Sequence, residues 1–92
     1  MNQSLGIIEV VGMVTAMACI DAMVKSAYVE VTKIERVGSG FIAIMIEGDL
    51  ASVQVALEIG AETVQCHGEL VAAKVIARPY EGLEKLTAPE KR

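Results

Sequence analysis

The order of apolar patterns along the chain is the feature that most restricts its fold. Short runs rich in isoleucine and valine predict four strands, at 6–11, 28–37, 41–46 and 70–77. Apolar residues at helical spacing predict a helix at 13–26 and a second one between an Asp49 N-cap and a Gly68 stop. The order βαββαβ predicts an α+β, ferredoxin-like fold, in which a four-stranded antiparallel sheet carries two helices on one face.

The chain beyond the fourth strand has weaker patterns. Arg78-Pro79 ends that strand, because proline cannot continue a central ladder. The residues 81–86 predict a short C-terminal helix, and a polar tail follows. We therefore interpret residues 1–92 as a single domain, with a core over about 5–80 and a variable tail over 81–92.

The spacing within each helical segment also predicts which face is buried. In the first helix the most apolar stripe consists of Met13, Met17, Ile20 and Val24, and Asp21 and Lys25 form an i,i+4 pair on the other side. In the second helix the inner face consists of six residues: Val53, Ala56, Leu57, Gly60, Ala61 and Val64.

The apolar content is high for a chain of 92 residues, at 53%. A domain of this size buries only roughly 64% of its surface on folding, so a lone monomer leaves much apolar area in water. The composition therefore favours self-association over a monomer.

Charge and composition exclude several function classes. The net charge is −4 and aromatic residues make up 3%, which argues against binding to nucleic acid. The richest apolar stretch, 5–24, contains Glu9 and Asp21 and is interrupted by glycines, which argues against a membrane span. No basic segment precedes an apolar run, so we expect a cytoplasmic protein whose two cysteines are reduced.

The chain offers few groups for chemistry. Cys66 and the single histidine, His67, are adjacent, so on a helix they point in different directions and chelate one ion poorly. Ser39 has no neighbouring base, and a strand rather than a helix follows it. We therefore expect no catalytic residue, no metal and no cofactor, with Cys19 in the core and Cys66-His67 at a helix end.

The segment Gly38-Ser39-Gly40 separates the second and third strands. Its simplest interpretation is an ordinary hairpin turn. A second interpretation is that a symmetric assembly gathers several copies around an axis. Copies of Ser39 would then surround a narrow opening with hydroxyls and amide dipoles, which favours small polar or anionic solutes.

Taken together, five segments resemble the bacterial microcompartment shell family, of the hexamer-forming single-domain type. The similarity runs in register from Leu5 to Tyr80 and is greatest to the major shell proteins of propanediol- and ethanolamine-utilising compartments. The segments are Gly6-Ile7-Ile8-Glu9, Asp21-Ala22-Met23-Val24-Lys25-Ser26-Ala27, Gly38-Ser39-Gly40, Glu47-Gly48-Asp49 and Val75-Ile76-Ala77-Arg78-Pro79.

The resemblance implies a structural shell subunit of a bacterial microcompartment, in the cytoplasm, that forms cyclic hexamers. It implies that Gly38, Ser39 and Gly40 line a six-fold pore for small polar metabolites. It also implies that Lys25 and Arg78 contact neighbouring hexamers at the hexamer edge. Tyr28 is expected at the same edge, where close relatives often carry asparagine.

The implied partners are other copies of the chain, other shell proteins of the compartment and, through targeting helices, enclosed enzymes. Two alternatives stay open at this point, and one is a redox or metal carrier that uses Cys66 and His67. The βαββαβ order also serves small-molecule-binding regulatory domains, which form dimers or trimers and bind ligands in clefts between subunits.

Overall fold

A computed structural model describes residues 3–76 of the chain. It contains six elements in the predicted order βαββαβ. They are strand β1 (Ser4–Val11), helix α1 (Met13–Ser26), strand β2 (Glu30–Gly38), strand β3 (Phe41–Gly48), helix α2 (Leu50–His67) and strand β4 (Leu70–Ile76). The predicted helix at 81–86 and the polar tail lie outside the described residues.

The four strands form one sheet in the order β2-β3-β1-β4, and every neighbouring pair is antiparallel. Alternate side chains of the central strands, including Ile8 of β1 and Ile44 of β3, are fully buried. They pack in one cluster with residues of both helices, among them Cys19 and Val53. The α+β, ferredoxin-like prediction is therefore confirmed for the sheet and the two helices.

The buried face of α1 differs from the predicted one. Met13, Met17 and Val24 are exposed by 38%, 54% and 43%, whereas Cys19 and Met23 are completely buried. Hydrophobicity alone selects the most apolar stripe, but the buried residues of α1 form a neighbouring stripe, which consists of Thr15, Ala16, Cys19 and Met23. A Cβ placed on Gly60 of α2 would lie only 2.9 Å from the Met23 sulfur, so close helix packing decides which face turns inward.

Five of the six residues predicted for the inner face of α2 are buried, and the sixth, Ala61, is half-buried. Val53, Ala56, Leu57, Gly60 and Val64 are the buried residues of this helix. Its N-terminus is also where the sequence indicates: the Asp49 carboxylate accepts hydrogen bonds from the Ser52 backbone N–H at 2.9 Å and from the Ser52 hydroxyl at 3.0 Å. These hydrogen bonds lower the pKa of Asp49, because they stabilise its charged form.

Gly68 ends α2 as predicted, but for another reason than a left-handed cap. Its φ is −176°, which is extended backbone, and its N–H donates to the Val64 carbonyl oxygen at 2.7 Å. A Cβ at this position would collide with the Thr15 hydroxyl of α1. The glycine is needed because α1 passes close to the end of α2.

Candidate functional site

The β2–β3 hairpin closes through a two-residue turn. Gly38 pairs with Phe41, and Ser39 and Gly40 between them have φ values of 55° and 81°. Gly38 also has a positive φ, of 97°, so three successive residues adopt it, and the two central ones match the type I′ turn, whose twist suits the flanking strands. Glycine adopts this backbone without strain, whereas a serine such as Ser39 adopts it only at an energetic cost. The turn is exposed, so the Ser39 hydroxyl faces solvent.

The turn is fixed to the start of α1. The Gly12 N–H donates to the Gly40 carbonyl oxygen at 2.9 Å, and the adjacent Val11 N–H donates to the Glu69 carbonyl oxygen at 3.2 Å. Gly12 has a φ of 93°, and this bend between β1 and α1 is a contribution that the sequence analysis missed. The signal was a glycine at a strand–helix junction. The turn, the start of α1 and the end of α2 therefore meet at one end of the molecule.

A depression of about 330 Å³ lies beside the turn. It is lined by backbone and side chains of Gly12, Met13, Arg36, Gly38, Gly40, Phe41 and Ile42. Arg36 brings a cationic side chain to the depression, and the hairpin glycines leave its rim free of side chains. The Arg36 guanidinium and the peptide groups of the glycines are the polar part of this depression, whereas Met13, Phe41 and Ile42 make most of its lining apolar.

Ser39 is not arranged as a nucleophile. The ring of His67 is engaged within its own helix, where Nδ1 lies 3.0 Å from the Thr63 carbonyl oxygen. Among residues 3–76, no group of three or more histidine, cysteine or acidic side chains is placed to hold a metal ion. Cys19 is buried beneath α2, and burial raises the pKa of its thiol to about 11, whereas Cys66 is exposed.

The opposite end of α1 carries the other predicted residues. Lys25 lies in the last turn, and its Nζ is 3.2 Å from the Asp21 carboxylate, as the i,i+4 spacing predicts. Both side chains are largely exposed, at 72% and 62%. Tyr28 follows the helix and is 92% exposed. Arg78, the third residue predicted for this edge, lies outside the described residues.

The fold separates the two groups of predicted residues. Helix α1 begins beside the hairpin turn and, after 14 residues, ends at Ser26. At 1.5 Å per residue this places Lys25 and Tyr28 about 20 Å from the turn. The structure thus brings Gly38, Ser39 and Gly40 together at one end and Lys25 and Tyr28 together at the other.

No helix among the described residues is long and apolar enough to cross a membrane.

Comparison with known proteins gives a consistent result. A sequence profile of the BMC domain matches residues 4–79. The bacterial microcompartment shell protein PduK of Salmonella typhimurium is 48% identical over 83 residues, which cover 89% of this chain and 52% of PduK. The shell protein PduA of the same organism is 38% identical over 85 residues, covering 92% of this chain and 90% of PduA.

A third relative, the shell protein EutM of Escherichia coli, is 39% identical over 84 residues, covering 91% of this chain and 87% of EutM. The chain thus spans about half the length of PduK but nearly the whole of PduA and EutM. Among solved structures, a microcompartment protein from Desulfitobacterium hafniense superposes with a TM-score of 0.76 at 25% identity. That match covers 86% of this chain and 43% of the other.

Proposed function

Because the chain belongs to the BMC-domain family of bacterial microcompartment shell proteins, we propose that it forms cyclic hexamers that tile into a shell layer around a pore. Its relatives PduK, PduA and EutM are shell proteins and not enzymes, in agreement with the prediction of a structural subunit without catalysis. The relatives named above include no regulatory domain, so the ligand-binding alternative has no comparable support.

An exposed apolar stripe on α1, which we call the outer stripe, is the observation that most directly supports assembly. Met13, Val14, Met17 and Val24 are all exposed by 38% or more. Ile34 of β2, which pairs with the buried Ile44, extends the apolar surface on the helix side of the sheet and is 46% exposed. A surface of this kind is costly to leave in water. In the hexamer each copy covers the stripe of its neighbour.

The hairpin turn suits the rim of a pore. It extends past the paired strands, it is exposed, and Gly12 fixes its position. Six copies around an axis present six Ser39 hydroxyls and the peptide groups of Gly38 and Gly40. Hydrogen-bonding groups at a constriction favour small polar metabolites over apolar ones.

The end of α1 suits the edge of the tile. A long lysine side chain can cover apolar surface with its stem while its ammonium group donates hydrogen bonds to carbonyl groups. We place Lys25 and Tyr28, with Arg78, in the contact between hexamers. An edge contact about a two-fold axis is self-complementary, so the same residues serve both sides.

The place of action follows from the family. The protein acts in the shell of a microcompartment in the bacterial cytoplasm, together with other shell proteins and with the enclosed enzymes. The chain spans only about half the length of PduK, so we extend the partners of shell proteins to this chain as part of the proposal.

The experiment that tests the proposal compares two variants with the unaltered chain. Lys25→Ala is expected to give hexamers of unchanged mass in light scattering but no extended sheets in negative-stain images. Ser39→Asp introduces a residue that tolerates a positive φ, so we expect the turn to be preserved. The substitution places six carboxylates at the pore. We expect it to leave the sheets intact and to slow the passage of anionic metabolites into assembled shells. Normal sheets from the first variant, or unchanged anion entry with the second, would contradict these assignments.

A further inference from the structure

Thr15 is a buried polar residue that joins the beginning of α1 to the end of α2. Its side chain is only 6% exposed, and its hydroxyl donates a hydrogen bond to the His67 carbonyl oxygen at 3.3 Å. The two residues are 52 positions apart in the chain. The hydrogen bond is therefore a tertiary contact between the two helices.

The end of α2 needs a donor from outside the helix. The last four carbonyl oxygens of an α-helix have no partner within it, and a left-handed residue after the helix commonly satisfies some of them. Gly68 is instead extended, with a φ of −176°. Its N–H donates to the Val64 carbonyl oxygen, and the His67 carbonyl oxygen accepts its hydrogen bond from the Thr15 hydroxyl.

Packing holds Thr15 in the same place. A Cβ on Gly68 would collide with the Thr15 hydroxyl and would lie 3.1 Å from the threonine methyl carbon. Both branches of the Thr15 side chain therefore lie against the end of α2. The absence of a side chain at Gly68 is what allows the hydroxyl to reach the His67 carbonyl oxygen.

The same turn of α1 holds the hairpin turn on its other side. The Ala16 N–H donates to the Gly12 carbonyl oxygen at 3.1 Å, and the Gly12 N–H donates to the Gly40 carbonyl oxygen at 2.9 Å. Thr15 lies between Gly12 and Ala16 in the chain. One helical turn thus contacts the end of α2 through Thr15 and the hairpin turn through Gly12.

A backbone hydrogen bond closes this junction. The Val11 N–H donates at 3.2 Å to the carbonyl oxygen of Glu69, which is two residues beyond His67. The segment between α2 and β4 is therefore held at His67 by Thr15 and at Glu69 by Val11. A displacement of this segment would also move the end of β1, where Gly12 is the next residue.

We propose that Thr15 is a positioning residue for the hairpin turn. Its hydroxyl fixes the first turn of α1 against the end of α2, and Gly12, at the start of that helical turn, fixes Gly40. Without the hydroxyl, Ser39 and Gly40 adopt a wider range of positions. The inference rests on the proposed function in one respect, because the position of the turn affects the passage of solutes only if the turn lines the pore.

The first experiment measures amide hydrogen exchange by NMR in Thr15 variants. Thr15→Val keeps the shape of the side chain and removes the hydroxyl, whereas Thr15→Ser keeps the hydroxyl. The Gly12 N–H reports the contact with the turn, and the Ile44 N–H, in a strand paired on both sides, reports opening of the core. We expect exchange at Gly12 relative to Ile44 to become about tenfold faster with valine and to change within about twofold with serine.

Thr63→Val is the matched control. The Thr63 hydroxyl donates to the Ile59 carbonyl oxygen at 2.9 Å within α2, so the same substitution removes a hydrogen bond that joins no second element. It should leave the relative exchange rate at Gly12 unchanged within about twofold. Thr15→Ala removes the hydroxyl without placing a methyl group beside a carbonyl, so it gives the same test if the valine variant does not fold.

A second experiment connects the turn with the pore. The entry of glycerol and of mannitol, two neutral polyols of different size, into assembled shells is compared between the unaltered chain and Thr15→Val. A turn that is held less firmly admits the larger polyol more readily. We therefore expect the entry rate of mannitol relative to glycerol to rise by about twofold or more.

The outcomes distinguish this inference from the proposed function. If exchange at Gly12 relative to Ile44 does not accelerate with valine, or accelerates equally with serine or with Thr63→Val, the Thr15 hydroxyl does not position the turn. If it accelerates as expected but the entry ratio is unchanged, Thr15 positions the turn and the turn does not line the pore. A rise in both quantities supports the inference and the pore together.

Discussion

Individual glycines in this chain meet two different physical requirements. At Gly40 the requirement is a positive φ of 81° in the hairpin turn. At Gly6 and Gly60 the backbone is ordinary and the requirement is space. A Cβ on Gly6 would lie 2.8 Å from a Val53 methyl and 3.0 Å from the Ile46 side chain, so the residue lets α2 lie directly on β1.

The space at Gly6 gives a prediction. Gly6→Ala should lower the free energy of unfolding by about 1–3 kcal/mol, because an added methyl group forces buried, β-branched neighbours out of place. Urea unfolding at fixed protein concentration measures this change. The matched control is the same substitution in a Val53→Ala background, where the space is available. An equal loss in both backgrounds would contradict the packing explanation.

A second prediction concerns the Asp49 cap. Its pKa is lowered in the folded chain, so the stabilisation that it provides is fully present above the ordinary aspartate pKa of 3.8 and is lost as pH falls below that value. Asp49→Asn keeps a side-chain oxygen that can cap the helix. Between about pH 5 and pH 2, the range where carboxylates titrate, we expect the variant to lose less stability than the unaltered chain loses.

Thermal unfolding at a series of pH values measures this slope. Glu62→Gln, at an exposed position of the same helix, removes a carboxylate without removing a cap and controls for net charge. If Asp49→Asn and Glu62→Gln alter the slope equally, the cap is not the cause.

At the scale of elements, α1 shows what a single sequence can and cannot predict. Its bounds, Met13–Ser26, and its Asp21–Lys25 pair follow from local spacing and were predicted correctly. Its buried face did not follow, because the choice between two stripes depends on the shape of α2. Cys19 was predicted in the core, but Met23 was not, because the fit of its side chain against Gly60 joins distant segments and leaves no local signal.

The strands show the same difference between features that follow from local sequence and features that depend on distant segments. β3 was predicted to end at 46 and extends to Gly48, and β2 was predicted to begin at 28 and begins at Glu30. Strand ends are determined by pairing with neighbours, which local propensity does not contain. The hairpin was predicted because its turn chemistry is local: two glycines around a serine. Its fixation by Gly12 was missed, because that hydrogen bond joins segments far apart in the chain.

The outer stripe of α1 gives a prediction at this scale. Met17→Glu should dissociate the hexamer, because Met17 is 54% exposed in the single chain and becomes buried against a neighbour in the proposed ring. The folded subunit should tolerate the charge, so circular dichroism is expected to be unchanged while sedimentation shows a smaller particle. Gln65→Glu, at an exposed position of α2, adds the same charge elsewhere and should leave the mass unchanged. If Met17→Glu still forms hexamers, the outer stripe of α1 does not lie in the interface between subunits.

At the scale of the whole molecule, the two ends of α1 have separate roles. The end beside the hairpin turn contributes to the proposed pore, and the end with Lys25 and Tyr28 contributes to the proposed edge. The 14 residues of the helix keep the two apart, and we propose that the exposed stripe between them faces a neighbouring copy. A flat tile needs this arrangement: an axis at one end of each subunit, an edge at the other, and subunit contacts along the side.

The prediction of single-domain organisation over 1–92, with its core at about 5–80, remains a prediction. The family match covers residues 4–79, close to that core. Arg78 and the predicted helix at 81–86 lie outside the described residues, so the role of Arg78 rests on the resemblance and the helix remains a prediction from the sequence pattern.

The measurement that tests the account most directly is the mass of the purified chain in solution, by light scattering combined with size exclusion at low protein concentration. Six copies of a 9.8 kDa chain predict a particle of about 59 kDa. The same mass should persist when Lys25 is replaced by alanine, since that residue acts between hexamers. A monomer, dimer or trimer would contradict the hexameric tile and the pore that depends on it.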